Sequence, residues 1–493
     1  PGNIGCTEPG CGPGGLAGNV DMLADWYYST SVNETLSDQL NCVGRMRGFD
    51  LPFMPTLCTY TKAPGQHPTR VGKDGKPERM TMGQSYGELA VKTHVAIGAT
   101  RSDRLSMFAA DCWQQGLKDY AKWTESPTNK VSCICDPDAP ARYGRLVRAR
   151  IMPEIELMRG MENVRAPVAF LEPMEPSIAG GFGWSHWHHM RGMRQAVCRQ
   201  AVPFDVVGDR EMDDGKVLSK YRCLIFPMAC VVTEKHHAAL AEAAKNGSTV
   251  VLDEHAAVDY PGSVKVEAKE LTGWYTNRVE ELRALLPSAS SCDYGENGYT
   301  FEKRYGGVRY VTVVNNKRRE RSEGGGVLLT FCPNAWYRPY CAPQRVTTTL
   351  RGVPEGAAIY EFNAGGRDEK DRKDRNDERD GKDVRITRDF EAAEGVVYCV
   401  YPEPLKAPEL CVSRLTSSVL NLGVTISTVS GKPAPGRTIV RVTVTDPDGR
   451  VTDESGRYAV ENGKVEIPIR FADGDPEGGL FSKWKAEVVD LMT

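Results

Sequence analysis

Apolar runs too short to alternate, separated by segments of helical period, fill the stretch from Ala166 to His255. Ala166-Pro-Val-Ala-Phe-Leu171 ends in carboxylates and Pro and predicts a buried strand. The Gly-rich turn from Ile178 to Gly183 leads into Trp187, Met190, Met193, Ala196 and Val197, apolar residues at helical spacing. Val202 to Val207 and Tyr221 to Phe226 predict a second and a third strand. Thr233 is placed to cap a helix from Glu234 to Lys245 that stops at Asn246-Gly247, and Ser248 to Leu252 predicts a fourth strand. Strands that are apolar throughout belong to a parallel sheet covered on both faces, where neither side of the strand meets water.

Upstream, residues 1–20 are Gly- and Pro-rich and irregular. Met22 to Tyr28, Leu51 to Leu57 and Leu105 to Ala110 predict strands; Ser37 to Arg47, Gly87 to Ile97 and Ala139 to Met161 predict helices; a polar excursion runs from Lys62 to Lys76. Alternating elements of this kind are consecutive βα units. Gly262 to Pro287 is a variable αβ stretch with one helix between Leu271 and Leu286. From Tyr299 the period becomes two, over Thr300 to Tyr305, Val308 to Val314, Gly326 to Thr330, Val346 to Leu350, Ala357 to Glu361, Val384 to Thr387 and Gly395 to Val400. Short strands between turn residues predict an antiparallel sandwich or barrel. The run from Gly366 to Asp383 is almost wholly charged with nearly cancelling signs; it has nothing to bury and predicts a mobile hairpin excursion. Beyond the linker Pro402 to Pro408, a second alternating region spans Val412 to Val429, Thr438 to Thr445, the turn Asp446-Pro-Asp-Gly449, Tyr458 to Val460, Lys464 to Arg470 and Trp484 to Val489.

The 493 residues are enough for roughly three or four domains. A net charge of −3 gives no footprint for nucleic acid or an anionic membrane, and no apolar run approaches the length of a membrane span. The chain opens on Pro1 without a signal-peptide pattern, which predicts a processed or truncated N-terminus. Its 15 cysteines are odd in number, scattered, and without a paired Cys-x-x-Cys set, so free thiols are expected rather than a disulfide framework or a zinc ribbon. Cys133 and Cys135 are too close in sequence for an unstrained mutual disulfide.

The succession VAFLEP (168–173), VPFDVVGDREM (202–212) and KYRCLIFPMACVVTEKHHAALAEAAKNGSTVVLDEH (220–255) resembles the flavodoxin-like, or trimerisation, domain that follows the barrel in glycoside hydrolase family 42 β-galactosidases. It covers about ninety residues. RYVTVVNNKR (309–318) followed by AAIYEF (357–362) resembles the small β-domain closing many glycosidases, and the segments around VRVTVTDPDGR (440–450) resemble bacterial immunoglobulin-like or macroglobulin-like modules. The resemblance implies a multidomain α/β plus all-β chain. Residues 1–162 would be the C-terminal part of a (β/α)8-type barrel, 163–290 a flavodoxin-like parallel sheet of the trimerisation or glutamine-amidotransferase-like kind, and 291–407 an antiparallel β-domain with the charged insertion 366–383. Residues 408–493 would form an immunoglobulin-like or macroglobulin-like sandwich. It further implies carbohydrate as partner, a homotrimer, and an extracytoplasmic home, whether periplasmic, cell-envelope or secreted.

Glycoside hydrolysis needs two carboxyl groups about 5 to 9.5 Å apart, carried in a barrel on the loops after the strands. By resemblance the acid/base strand lies upstream of Pro1. The nucleophile strand corresponds to Leu51 to Leu57, which continues to Tyr60 with no carboxylate, so neither catalytic residue carries over. Asn33-Glu34 looks like the Asn-Glu pair of many barrel glycosidases and makes Glu34 the catalytic candidate; it reads equally as a sequon or a helix start. Asp25, Trp26, Asp111 and Trp113 end strand-like runs and are candidate substrate-binding residues, since Trp rings stack on sugars and Asp accepts from hydroxyls; packing under a loop is the alternative.

The carboxyl edge of the parallel sheet collects Glu172, Glu175, Met228, Cys230, Asp253, Glu254 and His255. A nucleophilic Cys230 lacks the flanking glycines of an elbow, and His186, His188 and His189 do not converge on a regular helix, so no metal or cofactor is expected. Trp184, His186 and Trp187 would line a neighbouring cleft by resemblance, which makes Trp184 and His186 further substrate-binding candidates. His236 and His237 are expected on a solvated helix face. Asp473, Asp475 and Glu477 read as an acidic turn more readily than as a calcium site. The functional expectation is a glycoside hydrolase-related, β-galactosidase-like protein, truncated or degenerate; the alternative is a non-enzymatic scaffold or glycan-binding protein.

Overall fold

The computed structural model describes residues 23–27, 40, 53–58, 61–62, 69–71, 77–79, 86–100, 105–108, 131–132, 139–173, 190, 193–194, 197–198, 202–266, 284–287, 292–293, 298–317, 342–362, 376–416, 419–470 and 484–492. Over these residues the chain is mostly β-strand with few helices, arranged in several sheets. Leu23–Tyr27 (β1), Phe53–Cys58 (β2) and Ser106–Phe108 (β6) form a parallel sheet in that order. Thr61–Lys62 (β3) pairs with Val131–Ser132 (β7), and Thr69–Val71 (β4) with Pro77–Arg79 (β5), as short antiparallel ribbons.

The helix Tyr86–Ala99 (α1) is buried on every side from Leu89 to its end. Its sequence carries no apolar stripe, and Lys92, Thr93 and His94 are buried along with its apolar residues, as in a helix at the centre of a protein. Ala90, Val91, Val95 and Ala99 pack with Val168 and Phe170, while Ile97 joins a second core. Ala139–Leu146 (α2) runs through one wide π-type turn, Val147–Ile151, into Met152–Met158 (α3). Pro153 explains the turn. It has no N–H to donate and its ring collides with the carbonyl four residues back, and widening the preceding turn, where the Met152 N–H reaches Val147 O, makes room.

Val168–Leu171 (β8), Phe204–Val207 (β9), Cys223–Phe226 (β10), Thr249–Asp253 (β11) and Val264–Val266 (β12) form the expected parallel sheet. Their spatial order, β12-β11-β10-β8-β9, is the 2-1-3-4-5 order of flavodoxin-like sheets read from the other edge. Every residue of β8, β9 and β10 is buried. One face packs on α1 and on the segment holding Met190, Met193 and Val197. The other is covered by Asp209–Met212 (α4), Gly215–Leu218 (α5) and Glu234–Lys245 (α6).

Downstream, Cys292–Asp293 (β13), Gly298–Tyr305 (β14), Val308–Asn315 (β15), Gln344–Leu350 (β16), Ala358–Phe362 (β17), Asn376–Asp380 (β18), Asp383–Phe390 (β19) and Gly395–Tyr401 (β20) make two antiparallel sheets. Their orders are β14-β15-β20-β17 and β13-β16-β19-β18. The first sheet is buried on both faces: Val311, Val313 and Tyr398 face the second sheet, while Tyr310, Cys399 and Tyr401 face the core holding α3. Glu409–Thr416 (β21), Val419–Thr425 (β22), Arg437–Thr445 (β23), Gly456–Glu461 (β24), Lys464–Arg470 (β25) and Lys485–Asp490 (β26) follow in the order β21-β22-β25-β24-β23-β26. β24 and β25 share only the pair Glu461↔Lys464, which divides this unit into two three-stranded layers.

One arginine joins the last unit to the rest. Arg437 Nη1 donates to the carbonyls of Glu156, Leu157 and Arg159 at 3.3, 3.2 and 2.8 Å, and so caps the C-terminal end of α3. Its Nε and Nη2 bind Glu461 Oε1 at 2.9 and 2.6 Å, and its guanidinium lies over the Tyr305 ring. The Tyr310 and Tyr401 hydroxyls both donate to Arg437 O, at 2.9 and 2.8 Å. Burial raises the pKa of both phenols, which keeps the donors protonated.

The structure refines three expectations and overturns one. The alternating region Val412 to Val429 holds the antiparallel pair β21 and β22, with Ser417-Ser418 between them in the sequence. The charged run contributes β18, paired with β19 across Gly381, because an edge strand exposed on both faces needs no apolar residue. The helices α4 and α5, absent from the sequence reading, fill the crossover from β9 to β10. His236 is buried rather than solvated, its Nε2 3.4 Å from Asp213 Oδ1, because the turn after α4 docks over the first turn of α6.

A Cβ added at Gly98 would stand 2.5 Å from Phe301 Cδ2. Gly98→Ala therefore lowers the urea midpoint despite the better helix propensity of alanine, by about 1–3 kcal/mol of overpacking, and Gly98→Ala combined with Phe301→Leu recovers part of the loss.

Candidate functional site at the carboxyl edge of the parallel sheet

In a 2-1-3-4-5 sheet the chain leaves in opposite directions from the first and third strands, here β8 and β10, and open sheets of this order bind ligands beyond the carboxyl ends of those strands. β8 delivers Glu172, whose N–H still pairs with Val207 O at 2.9 Å as the strand runs out. The Glu172 carboxylate is bound by Arg194 Nη1, and both side chains are buried. Arg194 also lies over the Phe170 ring. β10 delivers Met228, held in the left-handed region at φ 56°. Asp253, the last residue of β11, pins that conformation: its Oδ2 accepts from Met228 N at 2.7 Å and its Oδ1 from His255 N at 3.0 Å. Backbone strain at such a position persists only where the surroundings fix it, and a buried carboxylate accepting two amides does so.

The edge is thus a preorganised polar floor, with Glu172 neutralised by Arg194 and Asp253 engaged by backbone amides. Cys230 is partly exposed beside it, and His255 Nε2 sits 3.9 Å from Glu254 Oε1. Among the described residues no group of three or more His, Cys, Asp or Glu converges on a metal position.

The backbone of β1 carries Asp25 and Trp26 opposite Pro55 and Thr56 of β2. Glu34, Asp111, Trp113, Trp184 and His186 lie outside the described residues, as do Glu175, His188 and His189 and the acidic turn at 473–477. Sequence reasoning missed Arg194. The signal was present: Met190, Met193, Arg194, Val197 and Cys198 share one buried helical stripe, and a lone Arg in such a stripe demands a carboxylate. It also missed Asp205, a carboxylate inside an apolar strand, whose Oδ2 accepts from Ala166 N at 3.2 Å and Tyr221 OH at 3.0 Å.

A small cleft of about 50 Å³ opens at the opposite, amino end of β8 and β9, lined by Ala166, Phe204, Asp205, Tyr299 and Glu302 among others. Beside it Lys303 is buried, its Nζ donating to Thr100 O at 2.6 Å, Asn163 Oδ1 at 2.7 Å and Met161 O at 3.4 Å. Burial pushes its pKa down to about 7, against the pull of Glu162.

No family model matches the sequence, and no curated protein matches it. The chain is similar to solved structures of glycoside hydrolases, family-42 β-galactosidases among them. One is a β-galactosidase from Bacillus circulans sp. alkalophilus, at 13% identity and TM-score 0.32, covering 92% of this chain and 61% of that one. Another is an exo-carrageenase of family 42 from Bacteroides ovatus, at 8% identity and TM-score 0.36, covering 74% and 44%. A third is α-L-fucosidase isoenzyme 2 from Paenibacillus thiaminolyticus, at 10% identity and TM-score 0.45, covering 75% and 62%. The chain therefore spans about six-tenths or less of the length of these structures. Among the described residues no helix is long and apolar enough to cross a membrane.

Two measurements check this geometry. Arg194→Met removes the guanidinium that binds the buried Glu172 carboxylate and costs about 3–5 kcal/mol in denaturant unfolding, whereas the double variant Glu172→Gln/Arg194→Met recovers most of it. For Lys303 the folded pKa lies below the 10.5 of the free side chain, so the unfolded state binds more protons between the two values. Stability from this group is full above pH 10.5 and is lost as pH falls toward 7, at up to about 1.4 kcal/mol per unit. Lys303→Met flattens that slope in urea midpoints taken from pH 7.5 to 10.

Proposed function

We propose that this chain is part of a glycoside hydrolase-like, carbohydrate-active protein of the β-galactosidase kind. The observation that carries the reading is the succession of units. Parallel strands β1, β2 and β6, with α1 between the last two, are followed by a parallel sheet in 2-1-3-4-5 order and then by antiparallel sheets. This is the order implied by the sequence resemblance. In this reading residues 1–162 are the closing part of a (β/α)8-type barrel, and 163–290 form a flavodoxin-like unit that assembles the protein as a homotrimer and walls a neighbouring cleft. Residues 291–407 are an antiparallel β-domain with the charged insertion 366–383, and 408–493 are an immunoglobulin-like or macroglobulin-like sandwich of an extracytoplasmic protein. Asp25, Trp26, Asp111, Trp113, Trp184 and His186 contact sugar, and Glu34 is a catalytic carboxyl.

A second reading, a non-enzymatic glycan-binding protein or scaffold, is favoured by one feature. β2, the strand that by resemblance carries the nucleophile, is Phe-Met-Pro-Thr-Leu-Cys and holds no carboxylate. Turnover of a panel of nitrophenyl β-glycosides by the chain, falling by about 10²–10⁴-fold in Glu34→Gln, is expected of the enzyme. No turnover, with glycan binding that is lost in Trp26→Ala, supports the second reading, and neither turnover nor glycan binding removes both.

A further inference from the structure

The widened turn before α3 leaves one carbonyl without a donor from its own helix. In an α-turn Arg148 O would accept from Met152 N, and in a π-turn from the nitrogen of residue 153. Met152 N goes to Val147 O instead, and residue 153 is Pro, which has no N–H. Arg457 of β24 supplies the bond from outside, its Nη1 donating to Arg148 O at 2.8 Å. That contact fixes the guanidinium at the rim where the last unit meets the helix, and leaves its other N–H donors unused. Beside it stands a second arginine. Arg441 of β23 is directly opposite Arg457 in the ladder, so both side chains lie on one face, and both residues are exposed.

Like charges opposed in this way destabilise a sheet, and burial together with the Arg441 charge holds the Arg457 pKa below the usual guanidinium value. Among the described residues no carboxylate forms an ion pair with either arginine. Glu461 of β24 is taken by Arg437, and Glu487, on the same face of β26, stands opposite Thr443, further along β23. Arg145 and Arg148, exposed on the adjoining helical turns, add to the positive field. We propose that Arg441 and Arg457 together hold a tetrahedral oxyanion, a phosphate or sulfate group. Each guanidinium is a planar fork that binds two oxygens; a carboxylate satisfies one fork, whereas a phosphate or sulfate has oxygens for both. An anion between the two also cancels the repulsion that this face otherwise carries. The free ion and an ester on a saccharide share this chemistry. The saccharide source rests on the carbohydrate-active reading above; the site itself does not.

The site is exposed, so binding is weak, with a dissociation constant on the order of 1 mM. Inorganic sulfate is titrated into the full chain to about 20 mM, with chloride adjusted to constant ionic strength, and the thermal midpoint is followed. The wild-type midpoint is expected to rise with sulfate. Arg441→Gln removes no hydrogen bond and relieves the repulsion, so in chloride alone it is expected to be at least as stable as wild type, with sulfate binding about five-fold or more weaker. Arg441→Lys, which keeps the charge without the fork, is expected to fall between them, and Arg450→Gln, at an exposed turn of the same unit, to bind as wild type does. No sulfate dependence in the wild type would overturn the proposal, as would equal dependence in Arg441→Gln or an equal loss in Arg450→Gln. Sulfated dextran binding more tightly per sulfate than the inorganic ion, with plain dextran inert, assigns the site to a saccharide ester; the reverse order assigns it to the free ion. Sulfate binding without glycan turnover or glycan binding leaves the site standing and removes only the saccharide source.

Discussion

Helix α1 has no solvent face from Leu89 onward, so the polar groups it carries are answered inside the protein where they are answered at all, and His94 Nε2 is left without a hydrogen-bond partner. Thr93 Oγ1 bonds back to Leu89 O at 2.7 Å and shares a hydrogen bond with Tyr143 of α2. His94 Nδ1 lies 3.1 Å from Glu154 of α3, a contact with both side chains buried. At its C-terminal end the Thr100 carbonyl accepts from Lys303 Nζ of β14. Sterics act in the same direction: the Cβ positions of Gly98 and Gly395 are filled by Phe301 and by the His94 ring. Upstream helices, parallel sheet and antiparallel sheets are thereby committed to one arrangement around a single helix.

The C-terminal unit is held by the same logic. Arg437 spends its guanidinium on the last carbonyls of α3 and on Glu461, and its backbone receives two buried phenols from β15 and β20. Gly306 and Gly436 allow the backbones to meet there, since a Cβ at either would enter the other segment. One apolar core runs from Ile151 and Leu157 through Tyr310 and Tyr401 to Ile439 and Ile467. A sandwich that shares its core with its neighbour is a wall of the molecule, not a bead on a linker.

At the carboxyl edge of the parallel sheet buried polar groups, Glu172, Arg194 and Asp253, gather beside the exposed Glu254 and His255. Glu172 and Arg194 cancel one another, and Asp253 holds Met228 in a conformation that a bulky residue adopts only when fixed. Such a floor costs stability to build, and its groups point where open sheets of this order present ligands.

The periods of the sequence determined the local elements. The apolar runs at Val168, Leu224 and Val250 are parallel strands because both of their faces are dry, and Thr233 and Asn246 bound α6 because capping is a local matter. What the sequence could not carry was anything answered across distance. Arg194 and Glu172, Lys303 and Thr100, and Arg437 and the end of α3 are 22, 203 and 278 residues apart. The burial of His236 depends on a turn after α4 that no period announces. Periodicity reports which side of an element is dry, whereas the identity of a buried charge's partner is fixed only when packing brings the two elements together, and that was left to the tertiary structure.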